Sequence, residues 1–185
     1  AALLVVGALM VHLIPHLVDT MHMSLEAAAA VVTVMTTTSI IGQVGGGFLG
    51  DRMDKRTIAA ACMLGHTVAL IGIAFASSLL AVYVFAIVHG LSWGTRGPLM
   101  MAMRADYFGR KSLPIIMGFS SLIITVGNVA GPVFAGFMAD WQGDYQMGFV
   151  ILAVLTGLGT VFFLAATKPA SPVRDPNQQT SIGER

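Results

Sequence analysis

The chain has 185 residues, of which 56% are hydrophobic and only 10% charged, with a formal net charge of +1 and a mean hydropathy of +0.81. Soluble domains carry about 25% charged residues, so these charges are too few to cover a water-facing surface, and lipid is the expected solvent. A near-neutral chain with no basic patch and interleaved aromatics excludes a nucleic-acid partner, and a single cysteine, Cys62, excludes a disulfide framework or a thiolate metal site.

A membrane-spanning helix needs about 20 mostly apolar residues. Six such segments are predicted, over about 1–18, 25–49, 57–77, 79–103, 113–139 and 146–167, which makes the fold class all-α and membrane-embedded. The first segment is apolar from its first residue, with no basic start of the kind a signal peptide shows. The expectation is a fragment whose N-terminal part precedes it. Within it, His12 and His16 flank Pro15 at i, i+4. That spacing suits a metal, but no third ligand follows, so the pair is expected to line a cavity, with proton relay as the alternative.

The second segment places Thr36, Ser39 and Gln43 on one face, and Gly42, Gly46 and Gly50 four residues apart, a spacing that permits close helix approach. It runs into "GGGFLGDRMDKR", an island in which Asp51, Arg52, Asp54, Lys55 and Arg56 interrupt some eighty nearly uncharged residues. The third segment holds Cys62, read as a small buried apolar residue, and His66. The fourth aligns His89, Trp93, Arg96 and Met100 at i, i+4, i+7 and i+11, with Gly94, Gly97 and Pro98 expected to loosen the helix beside Arg96. The fifth carries Ser121, Thr125 and Asn128, and Asn128 precedes the Gly131-Pro132 break. After the sixth, residues 168–185 turn polar and Pro-rich, as a disordered tail does.

Nine of the ten Lys and Arg residues follow segments two, four and six, and the intervening loops contain none. The positive-inside rule makes the first set cytoplasmic, with a cytoplasmic C-terminus and a prokaryotic inner membrane as the expected setting. The tenth cation is Arg96. An intramembrane charge normally faces a cavity or a partner, and no Asp or Glu occupies the middle of these segments. Three readings stand: its guanidinium fork binds an anionic substrate, it pairs structurally with a residue of the missing half, or the side chain snorkels toward the boundary roughly 12 Å away near Arg104.

The ordered spacing of Gly47, Asp51, Arg52, Lys55 and Arg56 between the second and third segments resembles the loop signature of the major facilitator superfamily, with Asp54 where that signature usually has glycine. Gly118, Gly127, Gly131, Pro132 and Gly136 resemble the glycine-proline pattern of exchangers in the same superfamily, with Ala135 replacing one glycine. "HLIPHL" and "RADYFGRKSLPIIMGFSS" are similar to the second half of its oxalate–formate antiporter and monocarboxylate-porter branch.

The resemblance implies helices seven to twelve of a twelve-helix secondary carrier, which partner a missing six-helix half of the same polypeptide. It implies no cofactor and no metal, a small organic anion such as a mono- or dicarboxylate as substrate, and alternating access. Arg96, Trp93, His89, His12, His16, Asn128 and Gln43 are the candidate substrate residues. Gly47, Asp51, Arg52, Lys55 and Arg56 form a candidate conformational latch, and the glycines of the fifth segment with Pro132 a helix-packing surface. His66, on a third helix, is expected to be peripheral. The competing readings are proton-coupled efflux of amphipathic compounds, a structural subunit, and a membrane enzyme built on the histidines, which lacks an acid or nucleophile at recognisable spacing.

Overall fold

The computed structural model describes residues 1–109 and 111–166; Arg110, Lys168, Arg174, Arg185 and the predicted tail at 168–185 lie outside them. Six helices follow in order: α1 (Ala2–Asp19), α2 (Leu25–Arg52), α3 (Lys55–Ala74), α4 (Leu79–Phe108), α5 (Leu113–Gln142) and α6 (Gln146–Ala165). Each is long and apolar enough to cross a membrane. In hydrocarbon no water satisfies the backbone, so helices that bond internally are the natural solution.

The helices outrun the apolar stretches. α2 continues through Asp51 and Arg52, and α4 reaches Phe108 rather than 103. Hydropathy marks where the hydrocarbon ends, whereas the backbone ladder goes on until a cap replaces it. The charged island is therefore hardly a loop, because only Met53 and Asp54 separate α2 from α3. Asp54 caps α3 by accepting from the Arg56 backbone N–H at 3.0 Å. Ser24 and Ser78 cap α2 and α4 in the same way. Gly143, at φ +84°, ends α5 in the left-handed conformation that favours glycine.

The core gathers around α1. Val5, Leu9, Leu13 and Leu17 recur every four residues, and all are fully buried together with Met35 of α2, Leu70 and Ile73 of α3, and Phe149 of α6. α5 contrasts with this. Its buried residues are Gly131, Ala135 and Met138, while Phe119, Ile123 and Phe137 stand exposed.

Two glycine seams bring backbones into direct contact. At the α2–α4 seam, a Cβ on Gly42 would overlap the Leu91 carbonyl, one on Gly46 the Thr95 backbone, and one on Gly94 the Ser39 carbonyl. The glycines are thus contributed reciprocally, and Thr95 Oγ1 donates to the Gly42 carbonyl at 3.1 Å. At the α1–α5 seam, Gly7 fits beside Asn128 and Pro132, and Gly131 fits against Leu4. Pro132 has no N–H for the carbonyl of Asn128, its i−4 residue. Gly7 packs on that exposed carbonyl. Of the predicted packing set, Gly127, Gly131 and Gly136 face α1, whereas Gly118 meets no atom within 4 Å.

Polar ties hold the two ends. At the charged end, Lys55 Nζ pairs with Asp106 at 2.9 Å, linking the start of α3 to the end of α4. Arg56 pairs with Asp54 at 3.0 Å and donates through Nη1 to the Ala166 carbonyl at 2.8 Å, just past α6. At the other end, His16 Nε2–H donates to the Ile73 carbonyl at 3.3 Å.

Two outcomes are expected. Gly94→Ala should destabilise the purified protein by about 1–3 kcal/mol through overpacking of the seam. Gly45→Ala, at an open position, should be neutral or stabilising by up to about 1 kcal/mol from helix propensity. Equal denaturation midpoints for the two variants would show that the seam is not close-packed. The second outcome concerns pH. The Arg56 side chain, then the Arg56 backbone N–H, hold the Asp54 carboxyl below its ordinary value. A depressed carboxyl contributes stability above its unfolded-state value and loses it as pH falls through the folded one. The gap in melting temperature between wild type and Asp54→Ala should hold constant from neutral pH to about pH 4 and close below it.

Candidate functional site

The intramembrane cation is held by the middle of α4. The Arg96 side chain reaches a cavity of about 380 Å³ bordered by Met63 of α3, Leu155, Gly159 and Phe163 of α6, and the first residues of α1. Arg96 Nε is buried and has no hydrogen-bond partner among the described residues. A guanidinium has five N–H donors and no acceptor, so an orphaned N–H in an apolar wall is an unmet demand for an anion or a carbonyl.

The predicted single face of α4 is divided. Trp93 lines a separate cleft of about 340 Å³ with Gln43, Pro98 and Met101, on the side of α2. Trp93 and Gln43 are thus brought together, but not with Arg96. Residues three apart on a helix point about 60° from each other, enough to open on opposite sides of a neighbouring helix. His89 is not on a cavity wall. It is fully buried, and its Nδ1 lies 3.2 Å from Nδ1 of His66. His66, expected at the periphery, is equally buried and forms the partner of that contact.

The two histidines of α1 have different surroundings. His12 Nε2–H donates to the Pro132 carbonyl at 2.9 Å and its ring lies 5.1 Å from that of Tyr145. His16 is sealed, edge-on to Phe149 at 5.2 Å. Its Nε2 is taken by Ile73, and its Nδ1 accepts from Thr20 Oγ1 at 3.4 Å. With both ring nitrogens engaged, His16 ties helices together and lines no cavity, a correction to the expectation above. Asn128 is exposed on α5, with its backbone against Gly7 of α1.

The hydroxyls singled out on α2 and α5 are satisfied within their own helices. Ser39 donates to the Thr36 carbonyl at 2.7 Å, and Thr36 to that of Val32. Ser121 and Thr125 bond back to Met117 and Ser121 in the same fashion.

The motif residues sit together at the charged end. Gly47, Gly50, Asp51 and Lys55 border a small cleft of about 220 Å³ against Pro98 and Leu99 of α4. Arg52 lies over the Phe48 ring, 3.7 Å from its centroid, a cation–π contact one helical turn apart. Asp106 was not singled out by the sequence reading, although it completes the Lys55 pair. The available signal was its place in the second cationic stretch, facing the first.

A sequence profile of the Major Facilitator Superfamily matches residues 1–184. Among curated relatives, the chain is 29% identical over 161 residues to monocarboxylate transporter 13 of Rattus norvegicus, covering 83% of this chain and 37% of that protein. It is 31% identical to putative glycerol-3-phosphate transporter 2 of Arabidopsis thaliana, covering 70% of this chain and 27% of that protein. It is 24% identical to the hexuronate transporter of Bacillus subtilis, covering 85% and 42% respectively. These relatives are named as transporters rather than enzymes, and the chain spans about a quarter to two-fifths of their length. A profile match over nearly all of the sequence, on six apolar helices joined by the charged signature, places this chain in the Major Facilitator Superfamily.

Proposed function

We propose that this chain forms helices seven to twelve of a secondary carrier that moves a small organic anion, such as a mono- or dicarboxylate, by alternating access. The observation that carries the reading is Arg96, with a buried Nε that lacks a partner among the described residues. No Asp or Glu lies near the middle of any described helix to neutralise it. Burying an unpaired charge is costly, and a substrate carboxylate offers two oxygens to the guanidinium fork. The relatives' names support the chemistry, since monocarboxylates, glycerol 3-phosphate and hexuronates are all anions at neutral pH.

The charged end, with Arg52, Lys55, Arg56, Arg104 and Lys111, is assigned to the cytoplasm of a cell membrane by the positive-inside rule. There the Gly47–Arg56 island acts as a latch. Its cleft against α4 and its ties to Asp106 and Ala166 support a rigid hinge point rather than a mobile loop. The open side of α5, which carries Phe119, Ile123 and Phe137, supports its use as a contact surface for the other six helices.

The test is uptake by the full-length carrier reconstituted in proteoliposomes, using labelled oxalate, L-lactate and glycerol 3-phosphate in counterflow. Arg96→Ala should abolish transport of whichever anion the wild type carries. Arg96→Lys should retain under about a tenth of it, because an ammonium is a point charge and lacks the planar fork. Unchanged transport in Arg96→Ala would overturn the assignment.

A further inference from the structure

The interface of α3 and α4 contains a polar seam that anion binding alone does not use. On α4, His89, Ser92 and Arg96 follow at i, i+3 and i+7; on α3, Cys62 and His66 follow at i, i+4. His66 and His89 are both 0% exposed, their rings 4.6 Å apart between centroids, with the two Nδ1 atoms at 3.2 Å. Gly65 brings the helices close, since a Cβ there would overlap the Ser92 hydroxyl.

Proton counting on this pair is informative. For two neutral imidazoles in Nδ1···Nδ1 contact, one ring donates its Nδ1–H and the other accepts. The donating ring is left with a bare lone pair on Nε2, and the accepting ring with an Nε2–H. Both Nε2 atoms are buried without partners among the described residues. Orphaned buried groups are rare and call for an explanation. Ionisable groups inside a membrane are a recurring basis of proton pathways.

We infer that His66 and His89 form a buried site for a single proton, communicating through Ser92 with the Arg96 cavity. A hydronium ion reaching the seam gives its proton to the bare Nε2 and leaves as water. The product is an imidazolium whose Nδ1–H donates to the neutral second ring, a charge-assisted bond stronger than the neutral one. The titratable groups on this seam are Cys62 from α3 and Arg96 from α4. α6 contains no titratable residue, α2 carries them only near its ends, and the histidines of α1 are bound to Pro132 and Ile73.

Arg96 sets the coupling. It lies seven residues from His89, roughly 10 Å along the helix, and its charge opposes a second cation. Unit charges at that distance and an effective dielectric of about 20 alter occupancy by about tenfold. An anion on Arg96 cancels that opposition, so anion and proton assist each other, and linkage makes the effect reciprocal. This coupling rests on the anion reading of Arg96, whereas the proton site itself does not.

The test uses the full-length carrier labelled with [15N]histidine and reconstituted in lipid. Resonances of the pair are assigned by their loss in His66→Gln and His89→Gln, each of which keeps one donor and one acceptor. Between about pH 8 and pH 5, the wild type should develop a third ring N–H shared by the pair. At fixed pH within that range, Arg96→Gln should enlarge the protonated fraction. A pair that stays neutral throughout overturns the inference and leaves a helix clamp. A pair that titrates with no response to Arg96→Gln overturns the coupling. Loss of anion uptake in Arg96→Ala beside a silent pair would sink this inference alone. A titrating pair in a carrier that moves no anion would sink the anion reading alone.

Discussion

The constraint beneath this structure is that helices in lipid gain little from hiding apolar side chains from one another, since the surrounding chains are equally apolar. Association must come from close contact and interhelical hydrogen bonds. The chain meets this at two seams where side chains are absent. Gly42, Gly46 and Gly94 let α2 and α4 touch backbone to backbone, and Gly7 and Gly131 do the same for α1 and α5. Thr95 adds a hydrogen bond that crosses the first seam, and His12 one that crosses the second. The meeting of His66 and His89 across α3 and α4 rests on the same device, since Gly65 leaves room there for Ser92.

Polar groups are distributed under the same rule. Most are satisfied locally: threonine and serine hydroxyls donate to carbonyls one turn back, and the charges pair at the helix ends. The groups left unsatisfied are few. Among the described residues they are Arg96 Nε, the Nε2 atoms of His66 and His89 on α3 and α4, Tyr107 Oη near the end of α4, and Thr160 Oγ1 of α6. The three nitrogens among these five atoms belong to side chains on α3 and α4, and ionisable groups gather in this way at functional sites.

Much of the architecture was legible in the sequence because two strong signals carry it. Hydropathy gives the number of helices, and the distribution of Lys and Arg gives the relation of their ends. The motif spacing added the family. The site was less legible. Helical periodicity says that His89 and Arg96 share a face, but not that His66 of the preceding helix is what His89 meets. Nor does it reveal that Trp93 and Arg96, about 60° apart on α4, open into two different clefts. His16 illustrates a different limit: its partner is the Ile73 carbonyl, and a backbone acceptor has no sequence signature. Gly118 belongs to the same spacing pattern as Gly131, yet of the two only Gly131 packs against a backbone among the described residues.

The joint between α2 and α3 is two residues long, Met53 and Asp54, and its second residue is already committed to capping α3. So short a connection has no slack with which to absorb a change of inclination. α2 is keyed into α4 at the glycine seam, and α3 is fastened to the ends of α4 and α6. The motif thus binds the near ends of four helices into one block at the charged boundary.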